Sequence, residues 1–477
     1  MNTEIEILKR FFKKYQGMDL EIIEPLPESG SSRHYYRLRI RNKSFVAVYN
    51  DNIKENTAFI SFTKHFLKSG LNVPEIFAEE IDNNIYMLQD LGSTSLLTFL
   101  ASYKENNKNS SGPIDVYKKV INHLPLFQVK AGKSLDYSVC YPKPAFDKQS
   151  MMWDLNYFKY YFLKLAQVSF DEQLLENDFH VFSDFLLQAD SNYFLYRDFQ
   201  SRNVMLIEGE PYFIDYQGGR RGALQYDIAS VLFEAKTSLS ADTRQLLLEY
   251  YLEILSIHLK FDRNSFLKYY YGFVYIRLMQ AMGAYGFRGL YEKKQLFLQS
   301  IPNALNHLRW LRANIKLPCI LPELEKVWDS LFVSEHIRHL AESFLKITVS
   351  INSFSYRHEI PVDETSHGGG FIFDCRLLNN PGQYEQYQNL TGLDKQVIDF
   401  LESDSRVDAF LKDIYSLVDK SVETYKEKGY THLMVNFGCT GGKHRSVYSA
   451  EKLASHFGNK YPEIDVKVRH REIEMMK

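Results

Sequence analysis

The chain has 477 residues, enough for two or three domains, and 45% of them are apolar, ample for packed cores. Lys and Arg number 57 against 59 Asp and Glu, a formal charge of −2, so no global field draws it to nucleic acid or membrane. The four cysteines, Cys140, Cys319, Cys375 and Cys439, lie far apart with no C-x-x-C, which argues against a zinc site or disulfide framework and suits a reducing compartment.

The segment Met1–Glu6 is charged rather than an apolar signal core, and no run of about 18 apolar residues could span a bilayer, so a cytoplasmic protein with no membrane partner is expected. Ile5 to Tyr15 has the periodicity of an amphipathic helix. Glu21 to Arg41 alternates like two strands around a turn. The turn, Glu28-Ser29-Gly30-Ser31-Ser32, is built of small residues that let backbone N–H groups approach phosphate oxygens, though an ordinary hairpin turn would read the same. It is not a Walker loop, because G-x-x-x-x-G-K-[ST] is absent. Ser44 to Asn50 reads as a third strand, and Asn56 to Ser69 as a helix ended by Gly70. Ile85 to Leu88 is an apolar strand that stops at Gln89-Asp90-Leu91-Gly92. Lys104 to Pro113 is a polar loop, and helical periodicity resumes at Val116. Ala145 to Leu165 predicts a helix carrying two acids, Asp147 and Asp154. By default the first is a helix N-terminal acid and the second belongs to a solvated face.

The richest stretch runs from Phe194 to Ala235. Arg197-Asp198 is followed by four residues and then Asn203, Asp215 ends the apolar run Tyr212-Phe213-Ile214, and Asp227 precedes Ile228-Ala229-Ser230-Val231-Leu232. Val204–Ile207 and Tyr212–Asp215 flank Glu208-Gly209-Glu210-Pro211 as a hairpin, which folds Asp215 back towards Asn203. Phosphoryl transfer needs these parts: a carboxylate to handle the proton of the attacking hydroxyl, and an amide and a second carboxylate to hold the Mg²⁺ that bridges the nucleotide phosphates. The bland alternative is a surface hairpin with scattered acids. Asp198 is therefore the candidate catalytic residue and Asn203 and Asp215 the candidate metal ligands, with ATP and Mg²⁺ as cofactors. Arg202, inside the same loop, is placed to meet developing phosphoryl charge.

This segment resembles the aminoglycoside phosphotransferase family, which has a protein-kinase-like fold. Its loop usually reads H-G-D-x-x-x-x-N, where this chain has Tyr196-Arg197-Asp198; Asp215-Tyr216-Gln217 stands in place of D-F-G. Together with the run Gly222 to Ser230 and the stretch Gln280 to Gly289, these features are most similar to the branch that phosphorylates the anomeric hydroxyl of N-acetylmuramate and N-acetylglucosamine. The resemblance covers roughly residues 1–315, with a small lobe of about 1–90 and a large lobe of about 91–315. It implies that Ser29, Gly30 and Ser31 cradle phosphates and that Arg33, in the run Arg33-His34-Tyr35-Tyr36-Arg37, binds one. It also implies that Leu88 and Gln89 form the adenine hinge, that Asp154 faces the sugar, and that Asp227 holds the catalytic loop through backbone N–H groups. Tyr49 occupies the place where most kinases carry the lysine of V-A-I-K, as the same branch also lacks it. Gly218 to Gly222 is a short activation-segment equivalent with no obvious phosphosite.

Residues 316–343, with Pro318 and Pro322, read as a linker with a short helix, and a new pattern begins at Leu345. A strand over Leu345–Phe354, a Gly368-Gly369-Gly370 loop, the strand Phe371–Phe373, a helix over 406–428, the strand Leu433–Phe437, a helix Val447–Phe457 and a strand Ile464–Val468 make an α/β domain. Between a strand and a helix lies Gly438-Cys439-Thr440-Gly441-Gly442-Lys443-His444-Arg445-Ser446. Helix N-terminal N–H groups, two glycines and three basic residues predict an anion site. The same letters spell C-x5-R-S, the phosphate loop of cysteine phosphatases, but no companion acid is evident. The stretches FDCRLLNNPG, LTGLD, GCTGGKHRSVYSAE and RHRE make the module 344–477 resemble the C-terminal domain of the RNase adapter RapZ. That resemblance implies a phosphosugar sensor with Arg376 and Arg469-His470-Arg471 near the pocket, and binding of small RNA. The module's acids and bases look balanced, which argues against RNA and leaves phosphate or phosphosugar as the expected ligand.

The expectation is thus an α+β protein-kinase-like bilobal domain followed by an α/β domain like that of RapZ. The expected activity is ATP-dependent phosphorylation of a small-molecule sugar, with phosphate or phosphosugar bound at the C-terminal domain. The alternatives are a kinase of another alcohol, such as an aminoglycoside, choline or a nucleotide-sugar precursor, or a degenerate kinase acting as an RNA- or ligand-binding adapter. Oligomeric state is not readable from the sequence.

Overall fold

A computed structural model describes residues 2–26, 33–41, 43–106, 112–237, 239–337, 347–362, 370–428, 430 and 432–475. The chain divides into two compact units, Met1–Phe287 with Ser300–Ser334, and Arg288–Gln299 with Glu335–Lys477.

The first unit begins with helix α1 (Asn2–Gln16) and a five-stranded antiparallel sheet of order β1-β2-β3-β5-β4. The strands are β1 (Ile22–Pro25), β2 (His34–Ile40), β3 (Lys43–Tyr49), β4 (Ile76–Glu80) and β5 (Ile85–Gln89). Leu8, Phe11 and Phe12 of α1 pack on Leu38, Phe45, Ala47 and Met87, which closes one face of the sheet. Helix α2 (Ile53–Lys68) covers the other flank; Asn52 caps it by accepting the Glu55 N–H, which places Glu55 in the first turn.

The second lobe is mainly helical, with α3 (Leu96–Asn106), α4 (Gly112–Pro125), α5 (Lys148–Phe158), α6 (Glu172–Leu186), α7 (Gln225–Leu232), α8 (Ala241–His258), α9 (Arg263–Tyr285), α10 (Ile301–Asn314) and α11 (Pro322–Val333). Two small ribbons carry the chemistry-bearing segments. Strands β7 (Val204–Ile207) and β8 (Glu210–Phe213) form the expected hairpin, turned by Glu208 and Gly209 at positive φ. Strands β6 (Tyr193–Leu195) and β9 (Arg220–Gly222) pair antiparallel, with Leu195 opposite Arg220. The unit is therefore bilobal, a small sheet lobe beside a helical lobe, as the kinase-like expectation required.

Aromatic residues make up 15% of the chain, and many of them have a structural use. Phe59 of α2 stacks on Tyr86 and on Tyr216, each with centroids 5.2 Å apart. Phe66 of the same helix meets Tyr216, Phe194 and Phe127 at 5.2, 5.3 and 4.9 Å. Phe127 continues to Tyr196 and Phe213 at 5.5 and 5.1 Å. Each such pair adds about 0.5–1.5 kcal/mol beyond area burial. The rings join helix α2 to the strand β6 that leads to Asp198 and the strand β8 that leads to Asp215.

Within the expected linker, residues 322–333 are packed. Leu324, Val327, Trp328 and Leu331 of α11 are buried, Trp328 stacks on Tyr275, and the Asp178 carboxylate accepts the first N–H groups of α11 from Glu323 and Leu324. The short helix expected here is started by Pro322 at its first position.

The second unit holds a parallel sheet of order β11-β12-β10-β13, made of β10 (Thr348–Ser355), β11 (Gly370–Asp374), β12 (His432–Cys439) and β13 (Asp465–His470). Val349, Ile351, Leu433, Val435 and Phe437 pack with helices α12 (Lys395–Glu402), α13 (Ser405–Lys428) and α14 (Arg445–Lys460). The sequence reading missed α12, whose eight residues are too few to show a firm period. Among the described residues no helix is long and apolar enough to cross a membrane.

Candidate functional site

A cavity of about 540 Å³ lies between the two lobes of the first unit. Arg33, Glu55, Leu88, Gln89, Asp198, Arg202, Asn203 and Asp215 all line it. Its apolar wall includes Val46, Leu88, Met205 and Ile214, beside the polar groups. Ser29, Gly30 and Ser31 lie outside the described residues.

Asp215 is the electrostatic centre. It sits just past β8 with φ of +69°, which turns its carboxylate into the cavity. It accepts Arg33 Nη2 at 2.8 Å, Gln217 Nε2 at 2.8 Å and Asn203 Nδ2 at 3.2 Å. Burial opposes its ionisation, but the charge of Arg33 and the hydrogen bonds of Gln217 and Arg33, with Arg202 further off, hold its carboxyl below the usual range. Asn203 also donates Nδ2 to the Asp198 carbonyl at 2.8 Å, so its amide oxygen is the atom left for a cation. Among the described residues no group of three or more His, Cys, Asp or Glu could hold a metal alone. One carboxylate and one amide oxygen suit a hard ion that arrives already bound to phosphates.

Glu55 is the residue the sequence reading missed. It lies 3.7 Å from Arg33 and accepts Asn50 Nδ2 at 3.0 Å. Arg33, only 7% exposed, thus faces Glu55 from helix α2 and Asp215 from the other lobe. Burial works against its charge, and Tyr35, Asp215 and Glu55 outweigh it, so Arg33 stays cationic. Arg33 thus carries the cation that links helix α2 to the Asp215 segment in these ion pairs. The signal was legible as a cap: Asn52 followed three residues later by Glu55.

The segment after β5, the expected hinge, is braced from β2. Arg37 donates to both oxygens of Asp90, at 2.7 and 3.0 Å, and to the Gly92 carbonyl at 3.1 Å. Gln89 pairs its backbone N–H and its side-chain oxygen with Glu75, so its side chain serves the strand rather than a base.

The loop that carries Asp198 is held from beneath. Asp227, fully buried, accepts the Tyr196 and Arg197 N–H groups at 2.8 and 3.0 Å and Gln128 Nε2 at 3.2 Å. Burial pushes its carboxyl up to about 7, against these three bonds. Glu234 accepts the Ser201 N–H at 2.8 Å, a second brace not foreseen. Asp198 receives Gln200 Nε2 at 3.1 Å and sits at the cavity wall.

Asp154 does not reach the cavity. Its carboxylate is taken by a bidentate pair with Arg197, at 2.6 and 2.7 Å, and it is 6% exposed. Asp154 thus holds the residue beside Asp198. Arg197 has φ of +81°, in the left-handed region that favours glycine. That is the place of the glycine in H-G-D, so the chain keeps the backbone shape and anchors an arginine there instead. Phe146 and Tyr226 flank the guanidinium at 5.0 and 5.2 Å. Asp147 caps α5 through the Ser150 N–H, the default role.

In the second unit the loop of residues 440–444 joins β12 to α14. Gly442 has φ of +65°, and a Cβ there would meet Glu472 Cγ at 2.2 Å, so glycine is required. Several expected anion ligands turn inward. Arg445 is buried and donates to the Arg376 and Leu378 carbonyls at 3.2 and 3.0 Å. Arg376 is exposed and spent on Asp374. His444 contacts the Tyr387 carbonyl at 3.0 Å, and Cys439, buried, lies 3.2 Å from Ser446 Oγ. A phosphatase loop needs the arginine and thiol to face one oxyanion; here the guanidinium faces carbonyls instead. Thr440 and Gly441 are exposed and Lys443 is half-buried, and His444 gives α14 no side-chain cap, so the helix N-terminal N–H groups and Lys443 remain as anion donors.

Residues 347–474 match the RapZ C-terminal domain family. A nucleotide-binding protein of Nitrosomonas europaea is 36% identical over 168 residues, 35% of this chain and 54% of that protein. One of Ralstonia nicotianae is 42% identical over 130 residues, 27% of this chain and 40% of that protein. The chain spans between 35% and 60% of the length of the curated relatives it matches. Among solved structures, a choline kinase of Cryptosporidium parvum is similar with TM-score 0.45 and 12% identity, over 68% of this chain and 99% of that one. An ethanolamine kinase of Plasmodium vivax gives TM-score 0.44 and 13% identity, over 66% and 89%. These structural likenesses are loose.

Proposed function

We propose that the first unit is an ATP- and Mg²⁺-dependent small-molecule kinase whose acceptor is an amino sugar of the N-acetylmuramate or N-acetylglucosamine type, phosphorylated at its anomeric hydroxyl. The observation that supports it is the convergence of Asp198, Asn203, Asp215 and Arg33 on one cavity between the lobes. In this reading Asp198 accepts the proton of the acceptor hydroxyl. Asn203 and Asp215 hold the Mg²⁺, which when bound neutralises phosphate charge. Arg33 orients phosphate oxygens, and Arg202 meets charge on the transferring group. The acceptor itself rests on the sequence resemblance of the catalytic segment.

The test is labelled ATP offered to the full chain with amino sugars, aminoglycosides and amino alcohols in parallel. Transfer to an amino sugar alone is the expected result. Transfer only to an aminoglycoside or to choline would replace the acceptor. Absence of both transfer and Mg·ATP binding would leave the adapter reading.

For the second unit we propose phosphate or phosphosugar binding at the α14 N-terminus, through backbone N–H groups and Lys443. The exposed Thr440 and Gly441 and the uncapped helix start support it. Calorimetry of the full chain with sugar phosphates and inorganic phosphate, repeated on Lys443→Ala, tests it; no heat with any of them ends the sensor idea.

A further inference from the structure

Arg220 is a buried cation the proposed chemistry does not use. It opens β9, is 6% exposed, and gives its Nε to the Gly218 carbonyl at 3.0 Å. Among the described residues no carboxylate lies within ion-pair distance of it. Buried arginines are almost always paired, because an uncompensated charge in the interior is costly. Its neighbour Arg197 has such a partner in Asp154, so that pair is neutral and Arg220 is left as the net charge. Burial, then the charge of Arg197, lowers its proton affinity, with Asp154 offsetting part.

Its position is informative. Gly218, whose carbonyl Arg220 holds, lies so close to the catalytic loop that a Cβ there would be 3.9 Å from Asp198 Oδ2. The charged and titratable groups around Arg220 are Arg197, Asp154, Tyr226 and Cys140, and none of these lines the cavity between the lobes. Arg220 is thus tied through Gly218 to the segment beside Asp198, while its charged neighbours lie outside the cavity that Arg33, Asp215 and Gln89 line. An anion paired with Arg220 would therefore belong to the acceptor and not to the nucleotide.

We propose that Arg220 is a specificity-determining residue that pairs with an anionic group, a carboxylate by its fork geometry, carried by the acceptor alcohol. This rests on the kinase reading of the same site. The charge of the acceptor completes a pair that the protein leaves open, and an uncharged acceptor leaves the buried guanidinium without a partner.

The experiment compares two sugars that differ only in a carboxylate-bearing substituent, N-acetylmuramate and N-acetylglucosamine. Both binding, by calorimetry, and turnover are measured on the full chain, its R220Q variant and its R220K variant. The wild type is expected to prefer the charged sugar by about tenfold or more, as a charge-assisted pair implies. R220Q is expected to collapse the ratio of the two KM values towards one, and R220K to keep part of it. A fall of equal size for both sugars makes Arg220 structural and overturns the proposal. So does a wild type that binds both sugars equally, a result that needs no variant to fold. A wild type that binds the charged sugar through Arg220 without phosphorylating it supports the subsite and overturns the kinase reading.

Discussion

Consider replacing Arg197 by glycine, the residue the related loops carry. Two effects oppose each other. Glycine relieves the left-handed conformation at φ +81°, worth about 1–2 kcal/mol for a residue with a Cβ. It also strips Asp154 of its bidentate partner, and both side chains are largely buried, at 16% and 9% exposure. Breaking such a pair from one side costs roughly 3–5 kcal/mol, because the remaining charge is left in the interior. The net expectation is a loss of about 2–3 kcal/mol, with the lost contacts to Phe146 and Tyr226 adding to it. Asp154→Asn alone should also destabilise, since it leaves the guanidinium unbalanced. The double variant removes both orphans and the strain, so it should be more stable than the sum of the singles by about 2–3 kcal/mol. Trp153, Trp310 and Trp328 are the chain's three tryptophans and all lie in the first unit, so urea unfolding followed by tryptophan fluorescence reports on that unit alone. Additivity within about 0.5 kcal/mol would refute the coupling and return Asp154 to the list of acids free to meet a substrate.

Asp198→Asn is expected to cut turnover by about 10²–10⁴-fold while Mg·ATP binding survives, whereas Asp215→Ala weakens that binding too; steady-state rates and calorimetry separate them, and a wild-type rate in Asp198→Asn would dismiss it as the proton acceptor. Arg33→Met should raise the KM for ATP by about tenfold or more and let the Asp215 carboxyl rise towards its ordinary range; an unchanged KM would mean the phosphates are held elsewhere. His307 is buried against the Phe233 carbonyl, and burial, then the charge of Arg244, depresses its imidazole to about 4. The stability this gives is present above the ordinary histidine value near 6.5 and is lost as pH falls towards 4, roughly 3 kcal/mol in all. His307→Gln should flatten that acid limb in urea titrations between pH 7.5 and 4.5, and an unaltered slope would place the acid sensitivity in other groups.

Local chemistry was legible where one short segment fixes its own geometry. The spacing of Asp198, Asn203 and Asp215 is such a case, since a hairpin of known length must return Asp215 to Asn203. So is Asp227, whose buried position opening a helix announces a carboxylate with a holding task. What failed were side-chain directions set by distant chain. Arg445 reads as an anion ligand from its loop, but the 376–378 segment supplies carbonyls that claim it. Asp154 was noticed but its partner was not, because Arg197 is forty-three residues away and no period links them. Glu55 was overlooked for the same reason, its meaning residing in Arg33 across the cleft. Arg220 could not be weighed at all from sequence, since an unpaired cation is defined by its surroundings and not by its neighbours in the chain.

The column of rings from Phe59 through Tyr216, Phe66 and Phe127 to Tyr196 and Phe213 has a further consequence. Such a column has no polar layer along which the lobes could slip, and Thr63 and Tyr216 fasten it with a hydroxyl pair at 2.6 Å. Helix α2 and the catalytic loop therefore share one fate in thermal fluctuation: neither opens without parting stacked rings from their partners. Backbone amides on α2 should exchange with solvent in step with those of the catalytic loop, at the deep end of the first unit's range, although one belongs to the small lobe and the other to the large. The cleft is then set in shape before any ligand enters, and little ordering cost is left for binding to meet.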